Sequence, residues 1–256
     1  MSTRCPTSPP SARPGSTGRN PAFATTHWSV VLLAGRNDTA RARTALAKLC
    51  RTYWYPLYAY VRRRGHSPHD AQDLTQDFFA HLLEHQALAK ADPARGRFRS
   101  FMLAVMKNFL ASARDFANAQ KRGGGVPLFS LDLALAEQRF AQEPADATAP
   151  DKLFDRQWAL AMLDGVLARL EQEYRRENKG ELFANLKDTL TGARATQPYA
   201  ELAVRLGLSE SAVKVTVHRL RLRYRALLQA EIAQTVATPA DADAEMRHLL
   251  DSLRLG

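Results

Sequence analysis

The sequence predicts an all-α protein: two helical domains joined by a flexible linker. Three observations carry that prediction. Apolar residues recur at helical spacing through nearly every segment after Thr25, as at Leu74, Phe78 and Leu82. No alternating apolar and polar run of useful strand length appears. Between Gly123 and Pro150 the periodicity breaks on three consecutive glycines and on the Ala/Pro/acid-rich stretch AQEPADATAP.

The elements follow in order. Residues 1–21 are rich in Pro, Ser, Thr, Gly and Arg with almost no large apolar side chain, a composition that cannot offset the entropy of ordering, so this tail is expected to be disordered. The run TTHWSVVLLAG offers a Thr cap, a short apolar helix and a stop at Gly35. A long helix is expected from Ala40 to Gly65, with Pro56 as a kink and Arg62, Arg63 and Arg64 where cations suit a helix C-terminus. The next opens with Ser67 as cap, Pro68 at the first helical position and Asp70 in the first turn. A further long helix runs from about Phe98 to Lys121. Beyond the linker, helices are expected over Asp151–Glu177 and Gly180–Leu190, followed by YAELAVRLGLSESAVKVTVHRLR and a C-terminal amphipathic helix in DADAEMRHLLDSLRL. The implied division is a first helical domain over 22–122, a linker over 123–150, a second domain over 151–236, and a tail with a short helix over 237–256.

The 256 residues carry a net charge of +10, which points to a polyanionic partner, nucleic acid before an anionic membrane surface. A merely basic soluble enzyme is the plain alternative. Two cysteines, Cys5 and Cys50, make neither a zinc site nor a disulfide framework, and no apolar run approaches a membrane span, so a soluble protein of a reducing cytoplasm is expected. No phosphate loop, nucleophile–base pair or metal-ligand cluster stands out. His81 and His85 are four apart but lack further ligands, while His66 and His69 read as surface residues. Neither catalysis nor a cofactor is expected.

The stretch Tyr199–Arg221 stops one helix on Gly207 and caps another at Ser209. A steep turn between helices needs a left-handed residue, which Gly207 supplies. Ala203 is small where the helices approach, and Leu208 is expected to plug the wedge between them. Val213, Thr216, Val217 and Leu220 share the core side of the second helix. The opposite side carries Ser211, Lys214, Val215, His218 and Arg219, flanked by Arg221 and Arg225. This is a helix-turn-helix whose second helix presents donors and cations suited to the major groove. A helical hairpin with a solvated basic face is the bland counterpart.

In order, DAQDLTQDFFAHLLE, GRFRSFMLAVMKNFLASARDFANAQKR, the linker and YAELAVRLGLSESAVKVTVHRLR resemble the sigma-70 family of RNA polymerase sigma factors, with the two-domain spacing of the extracytoplasmic-function (ECF) group. The resemblance covers about Thr25 to Ala230. It implies that Asp70, Asp73, Gln76 and Asp77 dock on core RNA polymerase, although Gln72 stands where the family often has an acid. It implies a minus-ten and melting role for the helix bearing Arg97, Arg99, Lys107, Asn108 and Arg114, with Asn108 in a pocket for a flipped base. Interleaved cations and the aromatics Phe98, Phe101, Phe109 and Phe116 suit a single strand, although most of these rings recur at core spacing. A minus-thirty-five contact is implied for Ser211, Lys214, Val215, His218, Arg219 and Arg221. The partners implied are core polymerase and promoter DNA, with an anti-sigma factor or a regulatory kinase as external control. Thr75, between Asp73 and Asp77, reads as an exposed helix residue that a kinase could reach. A stand-alone helix-turn-helix regulator acting as a dimer is the rival reading, and a helical scaffold that sequesters a partner is a second. Neither accounts for the acidic-then-basic layout of 67–122.

Overall fold

The computed structural model describes residues 40–84, 96–117, 133–143, 149–190 and 198–254, with side chains left undescribed at 40–48, 51, 83–84 and 113–117. The tail, the TTHWSVVLLAG helix, Cys5 and His85 lie outside these residues. The chain is all-α, and no strand occurs among the described residues.

In chain order the helices are α1 (Ala40–Arg63), α2 (Pro68–Glu84), α3 (Phe98–Ala117), α4 (Leu133–Ala141), α5 (Pro150–Arg176), α6 (Gly180–Leu186), α7 (Tyr199–Leu206), α8 (Glu210–Ala233) and α9 (Pro239–Arg254). A 3-10 turn, Lys187–Thr189, follows α6. Local chemistry sets the ends. The Ser67 hydroxyl accepts from the Asp70 amide at 3.2 Å, and Pro68 enters where no amide donor is needed. Pro56 lies within α1. Thr238 caps α9 by accepting from the Asp241 amide at 3.2 Å.

The long helix α5 organises the packing. It lies against α1, α8, α9 and α6, while α2 packs on α1. Its Phe154, Trp158, Met162, Val166 and Leu170 are buried at helical spacing. Trp158 meets α1 at Tyr53, and Tyr58 and Tyr60 of α1 are also buried. One contiguous apolar cluster therefore runs from Leu49 in α1 to Leu249 in α9. The helical segments on either side of residues 123–150 pack against each other through this core. Cys50 is buried within it, and burial pushes its thiol up to about 12, so the group is an inert apolar filler.

The stretch expected to be a flexible linker, 123–150, contains a helix in its middle. Residues 133–141 form α4, which packs against α2 and ties to α1 through Glu137. Arg62 donates to both Glu137 oxygens, at 2.7 and 2.9 Å, and the Tyr58 hydroxyl donates to the same carboxylate. The guanidinium of Arg62 lies over the Phe140 ring, and that of Arg139 over Tyr55. Side-chain anchors of this kind hold a nine-residue helix that propensity alone would leave marginal.

Candidate nucleic-acid interface

Three groups of side chains were expected to carry function, and the fold treats each differently. On α2 the acidic face is open. Asp70, Asp73 and Asp77 are exposed and Gln76 is half-buried, whereas Phe78 points inward and is fully buried. The Ser67 hydroxyl donates to Asp70 at 2.7 Å and orients the first acid of the series. The carboxyl of Asp77 is raised above its usual 3.8, first by partial desolvation and then by the negative charge of Asp73 one turn away. Thr75 does not share this face. It is fully buried and its hydroxyl donates to the Ala71 carbonyl at 2.6 Å, which corrects the expectation of an exposed, modifiable residue. The apolar stripe of α2 is wide enough to take Thr75 with it.

On α3 and just before it, three of the cations are ion-paired within the chain. Arg99 is only 7% exposed. Its Nε donates to Glu245 of α9 at 2.7 Å and its Nη1 to Asp155 of α5 at 2.6 Å, while the guanidinium lies 5.4 Å from the Trp158 ring centre. Arg97 sets its Nε 3.1 Å from the second oxygen of Glu245, without the alignment of a hydrogen bond. Lys107 donates to Asp151 at 2.6 Å near the start of α5. Asn108 is exposed. Arg114 and Phe116 have no described side chain. Of the phenylalanines, Phe98 is fully buried and Phe101 and Phe109 pack partly buried against the core. Arg97, Arg99 and Lys107 are thus each paired with an acid of α5 or α9, Arg99 in a buried setting and Lys107 with its side chain still 41% exposed.

Sequence reasoning missed the partners of these cations, Asp151, Asp155 and Glu245. Asp155 also meets His248, whose Nε2 lies 3.2 Å from Oδ2. A signal existed for Glu245. It shares the spacing i, i+4, i+7 with the buried Leu249 and Ser252, and an acid on the apolar stripe of a helix calls for a buried cation.

On α8 the sequence pattern and the structure coincide. Gly207 adopts φ 62°, ψ 31°, and two backbone bonds close the turn, Leu208 to the Ala203 carbonyl at 3.0 Å and Gly207 to the Val204 carbonyl at 3.3 Å. The Ser209 side chain accepts from the Ala212 amide at 3.2 Å. Val213, Val217 and Leu220 are buried, while Ser211, Lys214, Val215, His218 and Arg219 are exposed along the outer side. Lys214 pairs with Glu210 at 2.7 Å, one turn earlier. Two details differ from expectation. Leu208 does not plug the wedge: it is 41% exposed, whereas Leu202, Ala203 and Val213 of the two helices are buried. Arg221 turns back and donates to the Thr189 carbonyl at 2.9 and 3.3 Å, bracing α8 on the 3-10 turn.

Helix α2, with its acidic face, packs on α1, and the cationic helix α3 follows it and packs on α2. Residues 49–119, which span all three, match the family model for sigma-70 region 2. That segment is similar to sigma-70 region 2. The match supports a sigma-70 family sigma factor, a non-enzymatic transcription initiation factor whose region 2 binds core RNA polymerase and promoter DNA. No curated protein and no solved structure matches the chain. Among the described residues no helix is long and apolar enough to cross a membrane.

Proposed function

We propose that this protein is a sigma factor of the ECF type, which joins core RNA polymerase in the cytoplasm and directs it to specific promoters. The observation that carries the reading is the region 2 match, because it spans the acidic surface of α2 and the melting-type helix α3 together. In this reading Asp70, Asp73, Gln76 and Asp77 dock on a basic surface of the polymerase. Arg97, Arg99, Lys107, Asn108 and Arg114 serve the minus-ten element. The pair α7 and α8 acts as a helix-turn-helix, with Ser211, Lys214, Val215, His218 and Arg219 reading the minus-thirty-five element and Arg221 positioning the helix. Residues 22–122 form the region 2 domain, 123–150 the connection and 151–236 the second DNA-binding domain. The support for the second assignment is the sidedness of α8: its inner residues are buried and its outer residues are polar, cationic and exposed. External control falls to an anti-sigma factor or a kinase. A kinase acting at Thr75 would first have to open α2, since the hydroxyl is buried.

The test is transcription in vitro with purified core polymerase and a genomic promoter library. A sigma factor yields a discrete set of start sites that core polymerase alone does not, and it runs as a monomer by gel filtration. A dimer that binds duplex DNA without polymerase would replace this reading with that of a stand-alone regulator.

A further inference from the structure

Three of the cations assigned to promoter melting, Arg97, Arg99 and Lys107, are held in ion pairs with the C-terminal half of this chain. Arg99 has carboxylates on two sides, Glu245 at 2.7 Å and Asp155 at 2.6 Å. Arg97 shares Glu245 at 3.1 Å, and Lys107 takes Asp151 at 2.6 Å. Glu245 is fully buried. Two further contacts fix α9 over this end of α3: the Phe98 amide donates to the Thr235 carbonyl at 3.1 Å, just before α9, and His248 lies against Asp155. By contrast, the acidic face of α2 and the outer face of α8 are both exposed.

We infer that α9 and the first turns of α5 form an internal acidic clamp, which occupies Arg97, Arg99 and Lys107 in the free protein and gives them up to nucleic-acid phosphates when the sigma factor opens. The inference rests on the reading of α3 as a promoter-melting helix. Three carboxylates stand where phosphate oxygens would otherwise satisfy the same donors. The energetics suit exchange. A desolvated ion pair gains little net stability over an apolar replacement, because the cost of removing both charges from water offsets their attraction. A phosphate can take the place of each carboxylate without leaving the guanidinium unpaired. The Lys107–Asp151 pair, with side chains 41% and 51% exposed, is the most easily exchanged of the set. The free protein can thus meet polymerase and duplex DNA through its open faces while Arg97 and Arg99 stay occupied.

The experiment measures binding of the full-length protein, without polymerase, to a fluorescein-labelled single-stranded oligothymidine over a salt series, alongside promoter opening with core polymerase. The variants are Asp155→Asn/Glu245→Gln, the milder Asp155→Asn, and the charge-matched control Asp164→Asn/Asp243→Asn at exposed positions. Gln and Asn keep acceptors for the arginines, and circular dichroism verifies the helix content. Should the double variant lose helix, Asp155→Asn alone carries the comparison. The expected result is binding tightened about tenfold at low salt, with the slope of log affinity against log salt steeper by about 0.7 for each cation released. Asp155→Asn should fall between, and the control should match wild type. Variants that bind the strand as wild type does, while every holoenzyme still opens promoters, overturn the clamp and leave the sigma reading intact. Failure of the wild-type protein to bind core polymerase or open any promoter overturns the sigma reading and the clamp with it.

Discussion

The indole Nε1 of Trp158 donates to the hydroxyl of Tyr53 at 3.2 Å, joining α5 to α1 between side chains that are both fully buried. Burial pushes the Tyr53 hydroxyl well above its usual range, so it stays protonated and serves as the acceptor throughout the working pH range. This contact lies at the centre of the core shared by the helices before and after the connection. Replacing Tyr53 with Phe leaves the indole without that acceptor and should cost about 1–3 kcal/mol. Trp158→Ala opens a cavity as well and should cost about 3–5 kcal/mol. Urea unfolding followed by circular dichroism reads both. A Tyr53→Phe midpoint equal to wild type would show that the indole finds another acceptor.

Glu137 makes the attachment of α4 pH-dependent. Its carboxyl is held below the usual 4.5, chiefly by the hydrogen bonds from Arg62. A carboxyl depressed in the folded state contributes stability that is fully present above its unfolded value and is lost as pH falls through the folded one. Stability measured from neutral pH down through the carboxylate range should therefore fall less steeply for Glu137→Gln than for wild type. Identical slopes would mean that α4 does not sense this group.

Lys214 and Arg219 predict different losses on the outer face of α8. The exposed Lys214–Glu210 pair is weak and gives way readily to a phosphate or a base. Lys214→Ala removes the cation and also leaves Glu210 uncompensated beside DNA. If either residue contacts a base, its alanine variant should lose about 1–3 kcal/mol of discrimination at one position of the promoter. A residue that touches only phosphate should weaken binding uniformly and flatten the salt dependence by about one cation. Promoter-variant transcription across a salt series separates the two. Unchanged selectivity and slope in both variants would remove α8 from the DNA interface.

The acidic face predicts a conflict between stability and function. Reversal of Asp73 and Asp77 to Lys should abolish capture of core polymerase while leaving helicity intact. The milder Asp77→Asn should weaken capture but not the fold. The raised carboxyl of Asp77 shows that its charged form is disfavoured in place, so neutralising it removes partial desolvation and repulsion from Asp73. Thermal melting at neutral pH should give a midpoint for Asp77→Asn no lower than wild type. Full polymerase capture by the double reversal would exclude this surface from docking.

What was legible in the sequence is what depends on near neighbours. The helical period, the Ser67 cap and the turn at Gly207 and Ser209 follow from residues within a few positions of each other, and each stands where the pattern predicts it. The outer face of α8 was legible for the same reason, since Val213, Val217 and Leu220 mark the inner side. Helix α4 was not, because nine residues between Gly- and Pro-rich flanks give little periodic signal, and the bonds from Tyr58 and Arg62 to Glu137 span 79 and 75 positions. Nor was the engagement of Arg99. Periodicity tells which way a side chain leaves its helix, not which distant element covers it, and Glu245 lies 146 residues away. Whether Thr75 joined the acids beside it or the core beneath was likewise decided by packing, since a small hydroxyl that can bond its own helix carries little penalty on either side. Local sequence set the helices, their caps and the outer face of α8. Long-range packing alone decided which charges remain open to a partner and which are answered within the chain, because burial of a charge depends on what is brought against it.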